Sequence, residues 1–203
     1  MLFKRTMENT EQDVKDKFSV KELIEFERFC RDNALWAEMK RCFAANSSVT
    51  VSWFKGTGEE FVEASSKMKA YAPHKLYNTL VWLNNNKAVA ITMATIQCRS
   101  NLKGAIVELQ SDVKLIYRVE KLDRVWYIIS MDGIYEKDSL VPVSLGHNIV
   151  VPIDEISKFR TSYVNLSYIF SKDGYKIDTE LPGIDRPETV NKLYNEAKGW
   201  LSK

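Results

Sequence analysis

The sequence predicts an α+β fold, in which helices lead into a bent antiparallel sheet and a helical extension follows. Three observations predict it. Apolar residues recur at helical spacing in three segments before residue 72. Four stretches between residues 74 and 134 are rich in strand formers and separated by tight-turn residues. Two more amphipathic segments lie beyond a link at 141–152 that carries Pro142, Gly146 and Pro152.

Each element has a local reason. Residues 1–18 mix both charges and read as a frayed lead-in. Ser19 with Glu22 forms a capping box that opens a first helix. Its expected inward stripe is Val20, Leu23, Ile24, Phe26 and Cys30. A second helix spans 34–45, with Leu35, Trp36, Met39, Cys42 and Phe43 at helical spacing. Asn46-Ser47-Ser48 breaks it, and the alternating run 49–54 reads as a strand. Thr57 with Glu60 makes another capping box, for a helix to about residue 71 that Pro73 forbids from continuing. Strands are expected at 74–84, 87–99, 105–121 and 125–134. The Asn84-Asn85-Asn86 turn suits asparagine, which tolerates positive φ. Asp154 would cap a helix to about Ser171 that Gly174 stops. Asp185 would cap a last helix, with Pro187 in its first turn, where proline is favoured. Both tail helices are amphipathic and must dock on something. The domain reading is a core over 19–140 and a helical extension over 141–203 packed on it.

Bulk properties bound the function. The 203 residues are 45% hydrophobic and 28% charged, enough apolar material for a substantial core. With 29 basic and 27 acidic residues there is no polyelectrolyte signature, so nucleic acid is not an expected partner. Three cysteines without paired spacing argue against a disulfide framework and against zinc, and no other metal or cofactor is expected. There is no signal-peptide pattern and no stretch of the ~20 apolar residues a membrane span needs, so no membrane partner is expected and a cytoplasmic location is. No Gly-x-Gly-x-x-Gly or phosphate loop occurs.

Helices followed by a bent meander, in this order, resemble the nuclear transport factor 2-like cone, and the local words resemble SnoaL-like members of that superfamily. RDNALWAEMKRCFAANSSVTVSW is similar to their second helix and first strand, GTGEEFVEA to the entry of their third helix, and DRVWYIISMDGIYEKD to their last strand. The tail FRTSYVNLSYIFSKDGYKIDTELPGIDRPETV is similar to the extension of one SnoaL-like subgroup. The resemblance covers about 19–138. It implies a cone enclosing a pocket, and a homodimer through the outer face of the sheet.

Two dehydratase groups of the superfamily, acting on scytalone and on bile acids, place an acid a few residues before a helix-two tryptophan and a histidine on the meander. By this resemblance Asp32, four residues before Trp36, falls on the acid, and His74, in HKLYNTLVW, on the histidine. The pattern also departs. Arg31 stands where the scytalone enzymes have tyrosine, and Glu27 where the bile acid enzymes have a catalytic one. Gln110 and Asp112 are nearest to a second histidine.

Chemistry supports the pair independently. A histidine near neutral pKa can remove a proton beside a carbonyl and return one to a leaving hydroxyl, and a carboxylate on its other nitrogen fixes the tautomer and favours the imidazolium. The plainer roles stay open: Asp32 as a helix cap and His74 as a satisfied polar residue at a strand start. His147, in the link, reads as a surface residue. Asn78 shares strand parity with His74 and would donate a hydrogen bond to a substrate carbonyl. Arg99, Tyr117 and Tyr135 would line the mouth, and Trp36, Trp53 and Trp82 the walls, unless they are ordinary strand and core residues. The expected function is a cofactor-free dehydratase or isomerase for an apolar oxygenated small molecule of polyketide, steroid or terpenoid type. The alternative is a ligand-binding or dimerisation module of the same fold.

Overall fold

The computed structural model describes residues 2–144, 146 and 149–203. His147 lies outside the described residues.

Helix α1 runs from Glu11 to Asp32, so it starts eight residues before the expected cap at Ser19. Thr10 and Asp13 supply a capping box of their own, and no breaker separates it from Ser19. The lead-in is also tied down, because Asp16 is buried and accepts hydrogen bonds from the Trp126 indole (3.1 Å) and from Lys121. The buried face of α1 keeps Val20, Ile24 and Cys30 of the expected stripe, with Leu23 partly buried, but loses Phe26 and gains charged residues. Val20, Ile24, Glu27, Arg28 and Arg31 face inward, whereas Phe18, Phe26 and Phe29 are exposed. Glu27 and Arg28 neutralise each other through two hydrogen bonds, which is what lets a charged stripe enter the interior.

Helix α2 is only Trp36–Arg41, and strand β1 starts at once, Phe43–Val51. After the short β2 (Phe54–Thr57), α3 covers Gly58–Ser66 with the Thr57–Glu60 capping box in place. It stops one turn early, leaving Met68 in the segment that follows. Four long strands complete the sheet: β3 His74–Asn84, β4 Lys87–Leu102, β5 Ala105–Leu122 and β6 Val125–Pro142. Positive φ falls at Asn85, Lys103, Gly104, Asp123 and Arg124, so each hairpin turns where the sequence predicts. The last strand runs eight residues past its expected end, into the link.

The sheet is open and mixed, in the order β2-β1-β6-β5-β4-β3, with β1 parallel to β6 and every other pair antiparallel. Register shifts interrupt β3 against β4 between Leu76 and Thr79, and β5 against β6 after Asp112 and after Arg118. Bulges of this kind bend a sheet and sharpen its twist. The result is the α+β cone the sequence predicts.

The tail covers both faces of this sheet. The expected helix over 154–171 is broken into α4 (Ile153–Ile156), a 3₁₀ turn (Thr161–Tyr163) and α5 (Val164–Lys172). Tyr163, Leu166, Ile169 and Phe170 join the main core, on the same side as α1 and α3. Asp138 of β6 anchors α5 by accepting from the Leu166 amide (2.7 Å) and the Asn165 side chain (2.9 Å). The chain then runs beside β6, where the Tyr135 amide donates to the Pro182 carbonyl and the Ile184 amide to the Tyr135 carbonyl. Asp185 does not cap the last helix. It takes a two-point ion pair from Arg160 and a hydrogen bond from Ser162. Helix α6 (Pro187–Leu201) opens with proline as expected and lays Leu193, Ala197 and Leu201 on Val89, Ile91, Ile116 and Ile134 of the outer sheet face. None of the helices among the described residues is long and apolar enough to cross a membrane.

Candidate functional site

Asp32 is the last residue of α1 and His74 the first of β3, and the fold brings them into direct contact. Asp32 Oδ2 accepts from the His74 backbone amide at 2.6 Å, and Oδ1 faces His74 Nδ1 at 2.9 Å. A carboxylate only accepts, so the proton is assigned to Nδ1, leaving Nε2 as a bare acceptor. Among the described residues nothing hydrogen-bonds to Nε2. Arg31 Nη1 donates to Asp32 Oδ1 (3.1 Å) and to the Ala72 carbonyl (2.6 Å), fixing the segment before Pro73 to the helix end.

Electrostatics sets the charge states. Burial pushes the His74 pKa down to about 4; the Asp32 hydrogen bond opposes this, and the Arg31 and Arg28 charges reinforce it. Burial raises the Asp32 pKa, but the His74 hydrogen bonds and charge and then Arg31 outweigh that and hold it below the ordinary value. At neutral pH the pair is therefore a carboxylate and a neutral imidazole. This corrects the expectation of a favoured imidazolium; the first cause is burial of the ring, and the Arg31 and Arg28 charges reinforce it.

His74 lines a cavity of about 30 Å³ with Arg28, Arg31, Trp53, Phe61, Met68 and Phe170 among its walls. Room for one water needs roughly 10–15 Å³, so the space admits about two. Helix α5 supplies Phe170, so the tail closes the cone.

The other expected site residues separate. Trp53 and Tyr135 line the cavity; the Tyr135 hydroxyl accepts from the Ser52 amide at 2.8 Å. Trp36 packs against the edge of the main core, away from the cavity. Trp82 lies on the outer face, under Phe3 at 5.5 Å. Asn78 is exposed, because the bulge after Leu76 reverses the parity it would share with His74. Arg99 is exposed and pairs with Glu108 at 2.6 Å. Tyr117 is fully buried but does not reach the cavity wall, and its hydroxyl has no partner among the described residues. The sequence reading did not place Arg28 in the site. Its signal was spacing: Arg28 and Arg31 continue the i, i+4, i+8, i+11 stripe of Val20 and Ile24.

Comparison with known proteins fits this geometry. The chain has a nuclear transport factor 2-like fold. It superposes on a putative scytalone dehydratase from Novosphingobium aromaticivorans (TM-score 0.54, 12% identity, 70% of this chain and 100% of that one). It also superposes on a hexachlorocyclohexane dehydrochlorinase, LinA-type3, from Novosphingobium barchaimii (TM-score 0.51, 15% identity, 68% and 97%). A third match is an NTF2-like protein with a cystatin-like fold from N. aromaticivorans (TM-score 0.51, 12% identity, 63% and 90%). In sequence the chain is 24% identical to pea pathogenicity protein 2 of Fusarium vanettenii over 196 residues, 93% of this chain and 84% of that protein. No protein-family model matches the chain. The whole dehydratase chain aligns with only 70% of this one, whereas the fungal relative spans nearly all of it, so the added segment is shared with that relative.

Proposed function

We propose that the chain is an acid–base enzyme of the elimination or isomerisation class, with His74 as the proton-transfer group and Asp32 as the residue that orients it. One observation carries this reading: Asp32 grips both the ring and the backbone of His74, which lines the cavity with Nε2 left without a partner among the described residues. Neutral imidazole is the form that accepts a proton. In a dehydration Nε2 takes the proton beside a substrate carbonyl, and that electron pair forms the new double bond. The hydroxyl then leaves with the proton from Nε2 as water, and the imidazole returns to neutral. General acid–base catalysis of this kind contributes roughly 10²- to 10⁴-fold. Two structural neighbours carry names, putative scytalone dehydratase and hexachlorocyclohexane dehydrochlorinase, that each denote loss of a proton and of a leaving group from one molecule. An apolar oxygenated substrate suits the aromatic walls. It requires Phe170 and its helix to withdraw, since the closed cavity holds about 30 Å³.

The small cavity also favours a second reading, a scaffold closed for good by its own tail, in which Asp32 ties α1 to β3. Carbon-bound proton exchange separates the two. Small ketones and β-hydroxyketones are incubated with the protein in heavy water, and deuterium uptake beside the carbonyl is followed by NMR. The enzyme reading expects exchange that His74→Gln reduces by at least ~10²-fold. Exchange that is absent, or equal in His74→Gln, leaves the closed scaffold.

A further inference from the structure

Buried arginines need acceptors, and the two beside His74 have unused donors. Arg28 and Arg31 are more than nine-tenths buried. Arg28 spends Nε and Nη2 on Glu27, and Nη1 has no acceptor among the described residues. Arg31 spends Nη1 on Asp32 and Ala72, and Nη2 meets only the Met68 sulfur at 3.2 Å, a weak acceptor. Its Nε has no partner among the described residues. Both side chains line the same cavity as His74. The remaining wall is largely apolar and aromatic, contributed by Val51, Trp53, Phe61, Ile96, Leu115 and Phe170. Such a wall offers Arg28 the face of the Phe61 ring at 5.6 Å but no hydrogen-bond acceptor, and donors without acceptors in it are costly.

We infer that the cavity is a subsite for an anionic oxygen, a carboxylate or the enolate of the reacting carbonyl, held by Arg28 and Arg31 beside His74. The inference rests on the acid–base reading of this site and adds the chemical class of substrate. Planar guanidinium donors match a carboxylate, and charge-assisted bonds of this type are the strong ones. The fixed charges of the site compensate one another. Arg28 is offset by Glu27 and Arg31 by Asp32, so an arriving anion brings the site to a net −1 with His74 neutral. The remaining neighbours, Tyr135 on β6 and Met68 after α3, carry no charge. The anion therefore favours a proton on His74, and in the reaction that proton is the one withdrawn from carbon as the enolate forms.

The test uses formate, whose size suits the space, added to the full chain at constant ionic strength while the His74 ring resonances are followed by NMR. Assignment comes from His74→Gln. The expected result is a saturable shift of His74, with affinity at least ~10-fold weaker in Arg31→Gln and at least ~3-fold weaker in Arg31→Lys, which keeps the charge but loses the fork. Arg31→Lys decides the matter if Arg31→Gln does not fold. Three results would overturn the inference: no His74 shift up to ~100 mM formate, an affinity of only ~1 M being worthless as a site; equal affinity in wild type and the Arg31 variants; or chloride matching formate, which would mean the site reads charge and not oxygen. Failure here is distinct from failure of the proton-transfer reading, because formate binding is read at His74 without turnover, whereas that reading stands on deuterium exchange and its loss in His74→Gln.

Discussion

Lowering the pH tests the His74 environment most directly. An ordinary histidine titrates near 6.5, and burial among Arg28 and Arg31 holds His74 near 4. Between these values the unfolded chain binds a proton that the folded chain refuses, so stability falls as pH falls through this window. The contribution is complete above the unfolded value and fully lost below the folded one. Taking 6.5 unfolded and about 4 folded, the step from pH 7 to pH 5 removes about 2 kcal/mol. For a domain of this size that is a Tm decrease of about 4–8 °C. The assay is urea unfolding at a series of pH values for wild type and His74→Gln, whose amide does not titrate. Subtracting the two curves removes other groups, including the carboxylates Asp132 and Asp138, whose pKa values burial raises. The lowered carboxylates Asp16, Asp32 and Asp185 lose their stabilisation only at more acidic pH. A difference curve that is flat from pH 7 to 5, or that slopes the other way, would refute the neutral, desolvated imidazole. An NMR midpoint for His74 at or above 6.5 would do the same.

Two further outcomes probe the packing. Phe170→Ala removes a buried ring that both belongs to the main core and closes the cavity, and should cost about 3–5 kcal/mol by urea unfolding; a loss under about 1 kcal/mol would mean that the tail is not part of the core. Tyr117→Phe deletes a fully buried hydroxyl without a partner among the described residues, so it should leave stability unchanged or raise it by up to about 1–3 kcal/mol, and a loss above about 1 kcal/mol would reveal a bond to that oxygen.

Much of the architecture is legible in the chain because it is written in local chemistry. Strand β3 begins and ends where the alternation and the asparagine turn place it, and Thr57 and Pro187 open their helices as their side chains dictate. What sequence reading misses depends on contacts remote in the chain. Ser19 and Thr10 are equally good caps in isolation, and the anchoring of Asp16 by Lys121 and Trp126 goes with the earlier start. The helix over 154–171 is broken where Arg160 turns aside to reach Asp185. At the site, the contact of Asp32 with His74 was foreseeable from two residues 42 apart, but the wall opposite was not. A periodicity argument assumes that the apolar stripe is the buried one. In α1 charged residues are buried alongside Val20, Ile24 and Cys30, because Glu27 and Asp32 supply the counter-charges within the same helix. The Asn78 error has the same root, since a bulge is invisible to a count by twos.

The two-sided embrace of the sheet by residues 153–201 constrains the order of folding. Helix α5 can enter the concave side only after β6 has presented Asp138, and α6 can cover the convex side only after the chain has passed along β6. Until both have happened, a growing chain carries a sheet only partly covered: a hollow next to His74 that α1 and α3 leave open, and an unguarded layer of Val89, Ile91, Ile116 and Ile134. At roughly 5–20 residues per second, synthesis of that stretch lasts a few seconds, long enough for aggregation or chaperone capture to compete with docking. Expression yield should therefore respond to temperature and chaperone supply more sharply than the stability of the finished fold would suggest.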